Sequence, residues 1–152
     1  MANLSSYMRS DLVLLDIQAN DKVEIFQKIV EAMTEGKVIS KPGNFLEEIL
    51  QREYVSPTSI GRGVALPHTR TYFVDKPVIA FARIEPAISF SDRPLDSVEF
   101  VFLMGTPKND PNTYLRILKN LCTLLREKTF LDKLRLAETP DKVISMFCCS
   151  NN

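Results

Sequence analysis

One histidine in 152 residues, His68, leaves little for a metal to bind. With no second imidazole and no Cys-x-x-Cys pair, a zinc site of the usual composition lacks its ligands. Cysteine is scarce as well. Cys122, Cys148 and Cys149 are odd in number and the last two are adjacent, which suits no disulfide framework and points to a reducing cytoplasm. An excess of either charge is missing, because 19 lysines and arginines face 19 aspartates and glutamates. No global field then recruits nucleic acid or an acidic membrane surface, and any anion site has to be local. Met1 to Arg9 lacks the apolar core of a signal peptide, and no apolar run approaches membrane length. The expectation is a soluble, cytoplasmic protein with no membrane insertion, long enough for one domain over 1–152 with a single substantial core.

What is present gathers around that histidine. The stretch Ser59 to Arg70 reads Ser-Ile-Gly-Arg-Gly-Val-Ala-Leu-Pro-His-Thr-Arg. Val64, Ala65 and Leu66 form a short apolar run opened by Gly61 and Gly63 and closed by Pro67, which lacks the amide a sheet ladder needs. This predicts a buried strand with a hard stop. Leu66, preceding a proline, is biased toward extended backbone, so His68 should be displayed in a fixed direction at the strand exit. Locally, Arg52, Arg62, Arg70 and Lys76 outnumber Glu53 and Asp75, and the glycines flanking Arg62 let backbone amides approach a ligand. Together these features suit an anion. At an effective dielectric of about 20, a guanidinium about 4 Å from a phosphoryl oxygen is worth about 4 kcal/mol before screening, against about 0 to 1 for a surface ion pair.

Along the chain, Met1 to Ser10 reads as a loosely held polar end and Leu12 to Ile17 as a first strand. Asn20 is the expected cap of a helix carrying Val23, Phe26, Ile29, Val30 and Met33, stopped by Gly36. Lys41-Pro42-Gly43 turns into a second helix through Phe45, Leu46, Ile49 and Leu50, ending near Tyr54. Arg52 falls in its last turn, where it complements the helix dipole or reaches past the helix end. Val78 to Ile84 and Val98 to Met104 read as strands, and Glu85 to Asp96 as a loop laid on the body through Ile88, Phe90 and Leu95. Asp110 and Pro111 should start the longest helix, with Tyr114, Ile117, Leu118, Leu121, Leu124 and Leu125 as its apolar stripe. A short helix over Phe130 to Leu136 and a last one capped by Thr139-Pro140 complete the order β-α-α-β-β-β-α-α-α. That order predicts an α/β fold, a three-layer α/β/α domain with a small mixed sheet, in which ligands tend to sit at strand ends.

These residues give the chain a resemblance to a known family. Arg52-Glu53, Gly61-x-Gly63-Val64-Ala65-Leu66-Pro67-His68, Ile88-x-Phe90 with Asp92 and Pro94, and a helix after Gly105-x-Pro107 are similar to the IIA components of the bacterial phosphoenolpyruvate-dependent phosphotransferase system. The likeness is to the mannitol and fructose class and its nitrogen-regulatory relatives, over about 12–147. It implies that His68 accepts a phosphoryl group from the histidine phosphocarrier protein and passes it to a IIB component during carbohydrate uptake. Arg52 would pair with the phosphoryl group, Ser59, Arg62 and Gly63 would support it, and no metal or organic cofactor would be needed. Such chemistry asks mainly for an aligned nucleophile and electrostatic support. The alternatives are a regulatory binding module switched by histidine phosphorylation and a binding domain without transfer activity. Two features depart from the pattern. Many members carry a second histidine early in the helix after the last strand, where this chain has Tyr114, whose ring equally fits the apolar stripe. Arg62 and Thr69-Arg70 stand where small residues are frequent.

Overall fold

The computed structural model describes residues 3–91 and 97–148. Asp92, Pro94, Leu95 and Cys149 lie outside the described residues. Six strands form one mixed sheet: β1 (Val13–Ile17), β2 (Ser59–Gly61), β3 (Val64–Ala65), β4 (His68–Thr71), β5 (Val78–Ser89) and β6 (Ser97–Pro107). Their order is β1-β5-β6-β3-β2, and β4 follows β3 along the same side of β6. Helices α1 (Lys22–Glu35) and α2 (Pro42–Val55) cover one face, and α3 (Pro111–Leu124), α4 (Lys128–Leu136) and α5 (Pro140–Met146) cover the other. The result is a three-layer α/β/α arrangement. Covering both faces explains why β5 and β6 read as nearly unbroken apolar runs. Ile79, Phe81, Phe100, Phe102 and Met104 pack toward α3 to α5, and the residues between them, Ala80, Ala82, Val101 and Leu103, toward α1 and α2.

Several details differ from the sequence expectations, each for a local reason. Asp21, not Asn20, caps α1: its carboxylate accepts the Glu24 amide at 2.9 Å while Glu24 accepts the Asn20 amide at 2.8 Å. Gly36 follows α1 but keeps a helical φ of −76°. Lys37 takes the left-handed position (φ 60°), closed by Lys37 N donating to the Thr34 carbonyl and Val38 N to that of Met33, both at 3.1 Å. The N-terminal segment is anchored, with Leu4 and Met8 buried and Ser5 N donating to the Phe147 carbonyl at 3.2 Å. Residues 85–89 are strand rather than loop, and Pro86 falls at the register shift between Arg83 and Ile88. At 14 residues α3 equals α1 and α2 instead of exceeding them. β3 is only Val64–Ala65, and His68 opens a further strand, β4, instead of trailing from a strand end. Of the extra short strands, β4 follows from β6 being long enough to pair with β3 and β4 in turn, and β2 pairs antiparallel with β3.

Arg83, which carries no weight in the sequence reading, fastens the far end of the sheet. It is 8% exposed, donates to Asp16 at 2.8 and 3.1 Å, and donates from Nη1 to the carbonyls of Leu134 at 3.1 Å and Ala137 at 2.6 Å. It thereby caps the C-terminal end of α4. Arg83→Met should lower unfolding stability by about 2 to 4 kcal/mol, because it strands buried carbonyls and leaves Asp16 without its cation. Urea unfolding at unchanged slope measures this, and a loss below about 1 kcal/mol would make the arginine a solvated ornament of the sheet. The hydrogen bond from Arg83 holds the Asp16 carboxyl below its ordinary range. The stability that this shift adds is complete above about pH 4 and is lost as pH falls through the depressed value.

Candidate functional site

His68 is half-buried at the first position of β4, level with Met104 of β6. Leu66 N donates to the Thr58 carbonyl at 2.9 Å and Met104 N to the Pro67 carbonyl at 2.9 Å, so the Leu66-Pro67-His68 link is tied on both sides. His68 Nδ1 lies 2.6 Å from the Leu66 carbonyl oxygen. A carbonyl can only accept, so Nδ1 carries the proton, and the neutral ring keeps its lone pair on Nε2.

The opposing cation comes from the last turn of α2. Arg52 is exposed, and its guanidinium makes no hydrogen bond or ion pair among the described residues. Its neighbours hold the helix end instead. Glu53 is 2% exposed, accepts from Lys22 Nζ at 2.9 Å and from Thr58 Oγ1 at 2.6 Å, and so locks α2 to α1 and to the segment before β2. One turn earlier, Glu48 accepts from Thr69 Oγ1 at 3.0 Å, joining α2 to the strand that carries His68. Arg52 is therefore carried on a fixed helix end with its charge unspent.

Two adjoining cavities share Arg52. The larger, about 580 Å³, is bounded by His68, Thr58, Leu66, Leu118 and Cys122. The smaller, about 490 Å³, is bounded by Arg70, Lys108, Pro111, Tyr114 and Leu115. Tyr114 bounds the smaller one, its ring centroid 6.0 Å from that of His68 at an interplanar angle of 41°. Arg70 Cζ stands 5.8 Å from the Tyr114 ring centroid. Asp110 caps α3 by accepting the Thr113 amide at 3.2 Å, and Pro111 opens the helix, so the partially positive end of α3 forms part of the smaller cavity's wall. No carboxylate lines that cavity among the described residues. The imidazole and Arg52 share the larger cavity, and Arg70, Lys108 and the α3 end line the smaller one that Arg52 also bounds, so an anion held by Arg52 meets either the ring or further positive charge.

His68, Arg52 and Tyr114 are thus brought together, whereas Arg62, Gly63 and Ser59 are not. The Arg62 guanidinium donates to the Arg126 carbonyl. Gly61, Arg62 and Gly63 have φ of 91°, 59° and 80°, so the glycines serve the tight β2–β3 turn rather than a ligand. A side chain on Gly63 would meet the Glu99 carboxylate at 3.2 Å. The Gly63 carbonyl receives the amides of Glu99 and Phe100, five residues back along β6 from the level of His68, roughly 17 Å at strand rise. Ser59 pairs with Ala65 in the hairpin, and its neighbour Thr58 lines the larger cavity instead. Lys108 was missed by the sequence reading. Its signal is position: it follows the last strand residue and precedes the Asp110-Pro111 cap, at the strand-to-helix junction nearest His68.

The family profile described as phosphoenolpyruvate-dependent sugar phosphotransferase system, EIIA 2, matches residues 6–148. The chain is 27% identical over 143 residues to the PTS system fructose-specific EIIABC component of Bacillus subtilis, which covers 94% of the chain but 22% of that protein. The chain therefore spans less than a quarter of that relative's length. It is also 27% identical over 143 residues to a nitrogen regulatory protein of Bradyrhizobium diazoefficiens, covering 94% of the chain and 93% of that protein. Nitrogen regulatory protein IIA-Ntr from Neisseria meningitidis has the same fold, with a TM-score of 0.88 at 21% identity over 96% of this chain and 99% of that one. No helix among the described residues is long and apolar enough to cross a membrane.

Proposed function

The chain belongs to the EIIA 2 family of the phosphoenolpyruvate-dependent sugar phosphotransferase system, and from that premise we propose that His68 is a phosphoryl carrier with Arg52 as its principal anion partner. The observation that carries this reading is the fixed tautomer: Nδ1 is committed to the Leu66 carbonyl, and Nε2 is left as the nucleophile beside an unspent guanidinium. In the transfer, the Nε2–P bond forms as the N–P bond of the donor phosphohistidine breaks. The donor ring, protonated on its other nitrogen, leaves as neutral imidazole, and the Nδ1 proton of His68 stays on Nδ1, donated to the Leu66 carbonyl. Arg52, Arg70 and the α3 end then support the phosphoryl oxygens. Incubation with the histidine phosphocarrier protein charged from phosphoenolpyruvate should place one acid-labile phosphate on His68. Label at any other residue would overturn the assignment.

We read the phosphorylated state as a regulatory signal rather than a step of sugar uptake. The likeness to a nitrogen regulatory protein over nearly the whole of both chains supports that choice. Phosphorylated protein should then persist when a IIB domain is added, and should differ from the unmodified form in which protein it retains. Rapid discharge to a IIB cysteine would favour the uptake relay.

Tyr114 is the fourth residue of α3, its ring centroid 6.0 Å from that of His68, near the place where the family resemblance implies a second histidine. We propose that its hydroxyl donates to a phosphoryl oxygen. Tyr114→Phe should slow transfer about threefold to thirtyfold, equivalent to roughly 0.6 to 2 kcal/mol, with little change in stability. A transfer rate equal to the parent's would return the ring to the apolar stripe.

A further inference from the structure

Glu53 is the only buried carboxylate among the described residues, 2% exposed at the end of α2 and next in sequence to Arg52. A carboxylate leaves water at a cost that a cation and further donors have to offset. Lys22 Nζ supplies the cation at 2.9 Å and gives a second bond to the Phe90 carbonyl at 2.8 Å. The remaining donors come from one residue, Thr58, whose amide lies 3.2 Å from both carboxylate oxygens and whose hydroxyl donates to Oε1 at 2.6 Å. Apolar residues of the same volume often serve stability as well as a buried ion pair does. What Thr58 does from the place it is held in is therefore the informative part. Its carbonyl accepts from Leu66 N at 2.9 Å, and the Leu66 carbonyl oxygen lies 2.6 Å from His68 Nδ1. Glu53 thus stands at the head of a run of bonds, Glu53 to Thr58 to Leu66 to His68, that crosses from α2 to the ring.

We propose that Glu53 is a positioning residue: by holding Thr58 it fixes the Leu66 carbonyl, which keeps the proton on His68 Nδ1 and leaves Nε2 to take the phosphoryl group. The proposal rests on the carrier reading above and adds what selects the reactive nitrogen. Thr58 has little else to hold it. Pro57 before it has no amide to donate, and β2 after it is a three-residue strand at the sheet edge that pairs, among the described residues, with β3 alone. Beyond the ring, β4 has its own tie to α2, Thr69 Oγ1 to Glu48 at 3.0 Å, and its own ladder with β6. Glu53 therefore governs the approach to His68 rather than the strand that carries it. Once the Leu66 carbonyl is free to drift, the ring loses the acceptor that selects its tautomer, and the proton can move to Nε2, where the lone pair is needed.

Two double variants separate this role from that of a structural ion pair. Lys22→Met/Glu53→Leu replaces the buried pair by apolar side chains, a change that such sites often tolerate, and leaves Thr58 without its acceptor. Lys22→Met/Glu53→Gln lacks the ion pair equally but keeps an oxygen for Thr58. Because His68 is the only histidine, protein carrying nitrogen-labelled histidine reports on one ring by NMR, and its shifts give the tautomer while a thermal midpoint gives the folded fraction. The parent and the second variant should both show the Nδ1–H form and accept phosphate from the phosphorylated histidine phosphocarrier protein at rates within about threefold of each other. The first variant should show a mixture of tautomers, and its transfer rate per folded molecule should fall about tenfold to a hundredfold, the scale of a misplaced reacting group. An unmixed Nδ1–H ring with parental transfer in the folded first variant would overturn the proposal. Equal losses in both variants would overturn it too, by making the ion pair itself the requirement. Thr58→Val breaks the shortest bond of the same link with the ion pair left whole, and serves where the first variant does not fold: a parental ring there would also overturn the proposal. A parent whose ring holds the Nδ1–H form but takes no phosphate would remove the carrier reading, and the tautomers of the two variants would still decide the part played by Glu53.

Discussion

His68→Ala should abolish acid-labile phosphorylation and leave the folded protein intact. No second imidazole exists in the chain to take over. Structurally, the side chain contributes one local bond, Nδ1 to the Leu66 carbonyl two residues away, and it is only half-buried. The backbone pairing that holds β4, His68 opposite Met104 through Thr71 opposite Pro107, does not depend on the ring. A loss of about 1 kcal/mol or less is therefore expected in stability, the range of one neutral hydrogen bond. Mass spectrometry under conditions that preserve phosphohistidine, read beside a thermal midpoint, separates the two quantities. Acid-labile label persisting in the variant would refute His68 as the carrier, and a melted variant would show that the ring supports β4 more than its contacts imply.

Much of this site can be read in the sequence because it is built from local signals. Pro67 stiffens the approach to His68, the glycines open the turn, and a helix ending near Tyr54 delivers Arg52 to the same strand end. The paired apolar runs of β5 and β6, and the Asp110-Pro111 start of α3, are equally local. What stayed hidden depends on register across the sheet. β2 and β4 are three and four residues long, too short for any periodicity, and exist because β3 and β6, respectively, supply their pairing neighbours. Arg62 looked like a site cation by its nearness in sequence, yet the run from Val64 to Pro67 carries the chain from one end of the sheet to the other. Lys108 looks unremarkable in the chain and comes to line the same cavity as Arg70, already one of the local cations, only because β4 and β6 run parallel side by side. Arg83 sits in a strand that reads as wholly apolar, and only the α4 carbonyls give it a purpose.

Arg52→Ala should slow phosphorylation by on the order of tenfold to a thousandfold, roughly 1.4 to 4 kcal/mol in the transition state. The structure makes this a test of chemistry rather than of folding. The guanidinium is exposed and without a protein partner among the described residues, so truncation breaks no bond that holds α2. The end of α2 is secured by Glu53, with its bonds to Lys22 and Thr58, and by Glu48, with its bond to Thr69. The dipole contribution of a cation in the last turn is about 0.3 to 1 kcal/mol, which bounds the expected stability loss. Arg52→Lys refines the reading. It keeps the positive charge but loses the planar fork that can hold two phosphoryl oxygens at once, so it should recover only part of the rate. Full recovery by lysine would make Arg52 a simple point charge, replaceable by Arg70 or Lys108 in the same cavity. A collapsed thermal midpoint, with transfer merely scaled to the folded fraction, would make Arg52 a cap of α2 and move the anion site toward Arg70 and the first turn of α3.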